Sequence, residues 1–153
     1  MGINYISLTC IILGLFTFGS LNAQTGSTCA DPFEIQSIPF HQLNASTEGF
    51  GDDYSTSPCD ANYITGNDYV LALTPATSEY VTIRLENADA GTGLHLLDNC
   101  PDANPTCVGA DNQSSAGVRE IVDVKLEANT TYYIIVSSFA APQSVDFDLH
   151  ILA

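Results

Sequence analysis

Carboxylates dominate the side chains able to do chemistry in this 153-residue chain. It holds 18 Asp and Glu against three Lys and Arg, a formal net charge of −15. Glu48, Asp52, Asp53, Asp60 and Asp68 lie in and beside one connector, residues 47–67. Calcium takes about 6–8 oxygen ligands from carboxylates and carbonyls. Gly49, Gly51 and Gly66 would let backbone carbonyls turn toward an ion. Asp52, Asp53 and Asp68 are therefore the expected calcium ligands, and no other cofactor is expected. The spacing is not that of an EF-hand, and the alternative is a set of solvated acidic loops. A second acidic group, Asp98, Asp102 and Asp111, flanks a Cys-containing loop.

The same connector carries Phe50, Tyr54 and Tyr63. Trp is absent, so Tyr54 and Tyr63 are the expected rings for stacking on a sugar or similar ligand. The alternative is that they fold inward over the edge of the core, since Tyr is commonly half-buried. Catalytic sets are missing: there is no G-x-S-x-G, no H-E-x-x-H and no phosphate-cradling glycine loop. His41, His95 and His150 stand apart in sequence and read as surface or edge residues of strands. Acids are so abundant that a carboxylate pair carries no message about glycoside hydrolysis. The chain is therefore not expected to be an enzyme.

Charge and cysteine usage narrow the setting. So acidic a surface repels nucleic acid and anionic lipid. Residues 1–23 contain no charged side chain, run apolar through Ile11–Phe16 and end in Leu21-Asn22-Ala23. That is the layout of a signal peptide, although Lys and Arg are missing from its start. Asn4, Ser7, Thr9, Thr17, Ser20 and Asn22 dilute the stretch too much for a spanning anchor of about 20 apolar residues. Cys10 precedes the apolar run, which argues against a lipid-anchored Cys. Cleavage leaves residues 24–153, enough for one domain with one core. The expected setting is secreted or cell-surface, in a Gram-negative envelope with the periplasm included, without membrane insertion after cleavage.

Cleavage also leaves four cysteines, Cys29, Cys59, Cys100 and Cys107, an even number that suggests two disulfides in an exported chain. Three pairings exist. Cys100 with Cys107 is favoured because the two bracket a short Pro-containing loop, leaving Cys29 with Cys59. No C-x-x-C is present to suggest zinc.

The elements that must hold these residues are strands. Val145, Phe147, Leu149 and Ile151 alternate with polar residues, as do Val81, Ile83 and Leu85. Val122, Val124 and Leu126 alternate with Asp123 and Lys125. Tyr132 to Val136 is apolar throughout, which fits a strand buried on both faces. Tyr69–Leu73 and Leu94–Leu97 read as further strands, and Ile35–Leu43 as a first strand with an edge or bulge at Pro39. No helical period is sustained. The fold class is all-β, an antiparallel sandwich of about seven to nine strands. Tyr132 or Tyr133, just past the turn at residues 127–131, is placed to bond back to the backbone as a tyrosine corner.

Four segments in order resemble one family. They are Cys29-Ala30-Asp31-Pro32 with Ile38-Pro39-Phe40; Asn67 to Pro75, closing in Thr74-Pro75; Leu94 to Pro101; and Leu126 to Val136. The set resembles the bacterial pre-peptidase C-terminal domain. The resemblance implies a jelly-roll-like sandwich. Such domains flank a catalytic or adhesive domain and aid secretion or bind substrate polymers, and some relatives bind calcium or collagen. The expected function is a non-catalytic extracellular module that binds a polysaccharide or protein, or assists secretion. The alternative is a purely structural repeat or adhesin-type domain. If residues 1–23 are a signal peptide, intact-mass measurement of exported protein should show a chain beginning at Gln24. A membrane-bound species retaining residues 1–23 would overturn that reading.

Overall fold

The computed structural model describes residues 24–153; the signal peptide expected over residues 1–23 lies outside them. Nine strands form two sheets. In chain order they are β1 Phe33–Ile35, β2 Phe40–Ser46, β3 Tyr69–Leu73, β4 Glu79–Ala88, β5 Thr92–Leu97, β6 Cys107–Asn112, β7 Gly117–Leu126, β8 Tyr132–Ser138 and β9 Asp146–Leu152. The first sheet runs β1-β3-β8-β5-β6 and the second β2-β9-β4-β7. Every pairing is antiparallel except β1 with β3. The chain changes sheet at each step except the β5–β6 hairpin. This is the sandwich the alternating runs predict.

The core fills the space between the sheets. Leu71, Leu73, Leu94, Leu96, Ile134 and Val136 of the first sheet meet Val81, Ile83, Leu85, Phe147, Leu149 and Ile151 of the second. These are the inward members of period-2 runs, and burying each such side chain contributes about 1.5–3 kcal/mol. In the second sheet β4 and β9 follow the alternation and turn Arg84, Glu86, Asp148 and His150 outward. The first sheet does not alternate. All of β3 and β5, and most of β8, is buried. Its outer face carries Val70, Leu97 and Ile135, which join Ile64 in a second, smaller apolar cluster under Tyr54, Cys29, Cys59 and Tyr133. The apolar run at residues 132–136 is thus a strand covered on both sides, and the cover is the 47–67 connector with the segment around Cys29.

Two expectations are corrected by the backbone, and one strand is added. Residues 35–43 are not one strand. Pro39 cannot continue a ladder through its nitrogen, and it divides β1, in one sheet, from β2, in the other. In β7 the alternation slips by one residue. Val81 pairs with Val124 but Ile83 pairs with Ile121, so Val122 and Asp123 together face Thr82. Asp123 takes φ 48° in this bulge. Ile121 consequently enters the core and Val122 turns outward, 58% exposed. The strand β6 has no hydrophobic alternation to announce it and lies at the sheet edge. Tyr132, by contrast, makes the expected corner: its hydroxyl oxygen accepts from the Glu127 N–H at 3.0 Å.

The favoured cysteine pairing is also corrected. Cys29 bonds Cys100 and Cys59 bonds Cys107. The residue 98–106 loop is closed without a disulfide, by Asp98, whose carboxylate accepts from the backbone N–H and hydroxyl of Thr106. The β5–β6 register sets Cys107 beside Leu97, from where its sulfur reaches the connector, while Cys100 reaches the N-terminal segment. Both bonds tie the cover to the sheet instead of tying the sheet to itself. Closing loops with separations of 71 and 48 residues restricts the unfolded chain by about 4 kcal/mol for either bond alone. Peptide mapping without reduction should recover Cys29–Cys100 and Cys59–Cys107 peptides. A Cys100–Cys107 peptide would show this arrangement to be wrong.

Candidate binding cleft

The connector lies on the first sheet because buried polar groups hold it there. Asp68, just before β3, is fully buried. Its Oδ2 accepts from the backbone N–H groups of Asp53 at 2.9 Å and Tyr54 at 2.8 Å. Its Oδ1 is buried with no hydrogen-bond partner. Burial raises its pKa to about 7; the nearby Ser137 hydroxyl and the two N–H groups favour the charged form but only partly offset this. Asp68 is therefore a backbone tie. The Asp53 carboxylate turns back against Gly51. Asp52, Asp53 and Asp68 do not converge, and among the described residues no three His, Cys, Asp or Glu side chains gather as a metal-holding group.

His95 is a second tie, and it corrects the surface or edge position expected of it. It points from β5 into the outer cluster and is fully buried. Its Nδ1 lies 2.8 Å from the Ser57 hydroxyl and its Nε2 lies 3.1 Å from the Tyr63 carbonyl. The carbonyl can only accept, so Nε2 carries the proton and Nδ1 accepts from Ser57. Burial pulls its pKa down to about 4, against the opposing effects of the Tyr63 carbonyl and the Asp60 charge. The Ser57–His95 pair has the spacing of a nucleophile and base. The imidazole itself is fully buried beneath the connector. Gly93 permits this close packing: a Cβ there would stand 2.6 Å from the Tyr63 carbonyl oxygen.

These ties build an open cleft of about 510 Å³, within the size range of small-ligand sites. Thr28, Cys29 and Ala30 form one side, and Tyr54 and Tyr133 with the Cys29–Cys100 disulfide supply its apolar surface. Asp53 and Asp102 also line it. The Tyr54 hydroxyl accepts from the Cys29 N–H at 2.9 Å and, since Cys100 has no thiol hydrogen, donates toward its Sγ at 3.2 Å. Burial raises the Tyr54 pKa, and the charges of Asp102, Asp53 and Asp68 add to the rise. Tyr54 is thus locked in place.

Tyr63 is not in this cleft. It sits in a single 3-10 turn, Ala61–Tyr63, with its ring 4.2 Å from that of Phe139. Tyr133, which the sequence suggested only as a corner residue, takes its place. Its neighbour Tyr132 points into the core, so strand alternation sends Tyr133 to the outer face; that was the available signal. Phe50 packs on Tyr69 at 4.8 Å and lines a separate cleft of about 500 Å³ with Phe33, Gln42 and Asn44. The N-terminal segment borders both clefts. It is held against β3 by the Val70 N–H to Gly26 carbonyl bond at 2.7 Å. Gly26 has φ +102°, and a Cβ there would stand 2.5 Å from the Tyr69 ring, so this path requires glycine.

No family model matches the chain, and no curated protein matches it. Among solved structures it is similar to the crystal structure of a GH26-CBM35 β-(1,4)-mannanase of Podospora anserina. The identity is 10% and the TM-score 0.36, over 57% of this chain and 19% of the mannanase chain. Two disulfides fit an oxidising compartment. Among the described residues no helix is long and apolar enough to cross a membrane.

The protonation of Asp68 gives a sign that can be checked. Its folded pKa, about 7, lies above the unfolded value of about 3.9. Its contribution is therefore complete below about pH 4 and lost as pH rises through 7. His95 runs the other way: its contribution is complete above about pH 6.5 and lost as pH falls through 4. His95 is present in the wild type and in an Asp68 variant alike, so its titration cancels in the difference between them, which reports Asp68. Asp68→Asn keeps an acceptor for both N–H groups without the charge. Relative to the variant, the wild type should lose about 1 kcal/mol of unfolding free energy between pH 6.5 and 8 in urea melts. A wild-type-minus-variant difference that stays constant with pH would refute the assignment.

Proposed function

We propose that this protein is a secreted, non-catalytic module that binds a neutral polysaccharide through the Tyr54–Tyr133 cleft. The observation that carries the proposal is the presence of two tyrosine rings and two carboxylates, Asp53 and Asp102, in one open depression. Apolar ring surface packs against the C–H faces of a sugar, while carboxylate oxygens accept from its hydroxyls. The cleft contains no basic residue, and the chain is strongly acidic, so anionic polymers are disfavoured. Tyr54 is already fixed by its two hydroxyl contacts and the disulfide, so binding orders little that was free. The resemblance to pre-peptidase C-terminal domains supports an accessory role beside an enzyme or adhesin acting on the same polymer.

Affinity electrophoresis against soluble mannans, β-glucans and xylans, followed by calorimetry on any polymer that retards the protein, tests this. Tyr133→Ala should weaken binding roughly tenfold, corresponding to loss of one stacking ring, with the cooperative melt retained. Retardation by no neutral polymer, or equal retardation of the folded variant, would refute the proposal.

A further inference from the structure

The second sheet has its own chemistry on the opposite side of the sandwich. His41 in β2 and His150 in β9 are 109 residues apart, yet they are directly opposed across the antiparallel pair. Their Nδ1 atoms approach to 2.7 Å, with the rings 5.0 Å apart at 63°. A neutral imidazole nitrogen without a proton carries a lone pair, so two such nitrogens at this distance need a proton or a cation between them. Both rings are on the solvent side of the sheet, reachable by either.

The surroundings favour a cation. Arg84 in β4 lies opposite His150, but its guanidinium is paired with Glu86 at 2.8 Å and Glu120 at 3.0 Å, which offsets its charge. Asp148, two residues from His150 on the same strand face, accepts from the Asn44 N–H and the Asn87 side-chain amide, each at 2.7 Å. It adds negative field without being free to ligate. The protein as a whole carries −15, which attracts cations.

Geometry and ligand type select the ion. Calcium and magnesium take oxygen ligands, whereas imidazole suits late first-row metals. Two nitrogens at about 2.0–2.1 Å from one ion and at right angles stand about 2.8–3.0 Å apart, the spacing of neighbouring ligands in a square-planar or tetragonal site. The observed separation is slightly shorter. The ion would lie to one side of the line between the nitrogens, so each ring must turn about its side-chain bonds to aim its lone pair there. A tetrahedral ion would need the nitrogens farther apart. Copper(II) also stands highest in the affinity order for such ligands.

We propose that His41 and His150 form a two-imidazole site for a late first-row divalent ion, copper(II) foremost, with water completing its coordination. Protein without a histidine tag, in a non-coordinating buffer at pH 7.5, should bind one equivalent of copper(II) by calorimetry. Its paramagnetic resonance spectrum should show two equatorial nitrogens. Zinc should bind more weakly and calcium should not compete. His41→Gln and His150→Gln should each lose roughly tenfold or more in affinity with melting temperature retained. In the unsubstituted protein, substoichiometric copper(II) should broaden the imidazole proton resonances of His41 and His150 before that of His95. Absence of stoichiometric binding, an oxygen-only spectrum, or early broadening elsewhere would overturn the site, including in the event that a variant fails to fold.

Discussion

A sheet that is apolar on both faces must be covered twice, and most of the architecture follows from that requirement. The first cover is the partner sheet. The second is not a regular element but a connector rich in Gly, Asp, Thr and Ser, which has little apolar surface of its own to drive its docking. It is held by two groups that pay a desolvation penalty, the Asp68 carboxyl and the His95 imidazole, and by two disulfides. Ile64 is the main apolar residue the connector sends into the outer cluster. The candidate cleft is a by-product of this arrangement, formed where the connector, the segment around Cys29 and the exposed side of β8 meet.

The strands were largely legible in the sequence because burial on one face leaves a period of two. Residues 81–85 and 145–151 face as their alternation says, and the unbroken run at 132–136 shows its double burial. The register slip at Asp123 was not legible. A bulge adds one residue without changing composition, so Val122 and Val124 look equivalent until the partner strand is known. Nor was the division of residues 35–43 between two sheets, since Pro39 announces an interruption but not a change of layer.

The candidate sites were less legible than the fold, for one physical reason. A site depends on which segments meet, and in a fold whose chain changes sheet at almost every step, neighbours in space are distant in sequence. Clustering in sequence pointed to Asp52, Asp53 and Asp68 as one group, yet the backbone N–H groups of Asp53 and Tyr54 claim the Asp68 carboxylate. Proximity in the chain also suggested Tyr54 with Tyr63, whereas strand alternation brings Tyr133 to the cleft. The three histidines looked alike and fill two unrelated situations, one sealed under the connector and two facing each other across β2 and β9.

The order of the two disulfides along the chain has a consequence for resistance to proteolysis. Their spans, 29–100 and 59–107, interlace instead of lying side by side. A single proteolytic cut at any peptide bond between Cys29 and Cys107 therefore leaves both fragments covalently joined. A cut before Cys59 is spanned by the first bond, one after Cys100 by the second, and one between them by both. The consecutive pairing of 29 with 59 and 100 with 107 would have left residues 60–99 outside either loop, where one nick separates the molecule into halves. Interlacing thus extends covalent continuity across the exposed connector and the strands beneath it, so that a nicked molecule keeps its pieces at high effective concentration.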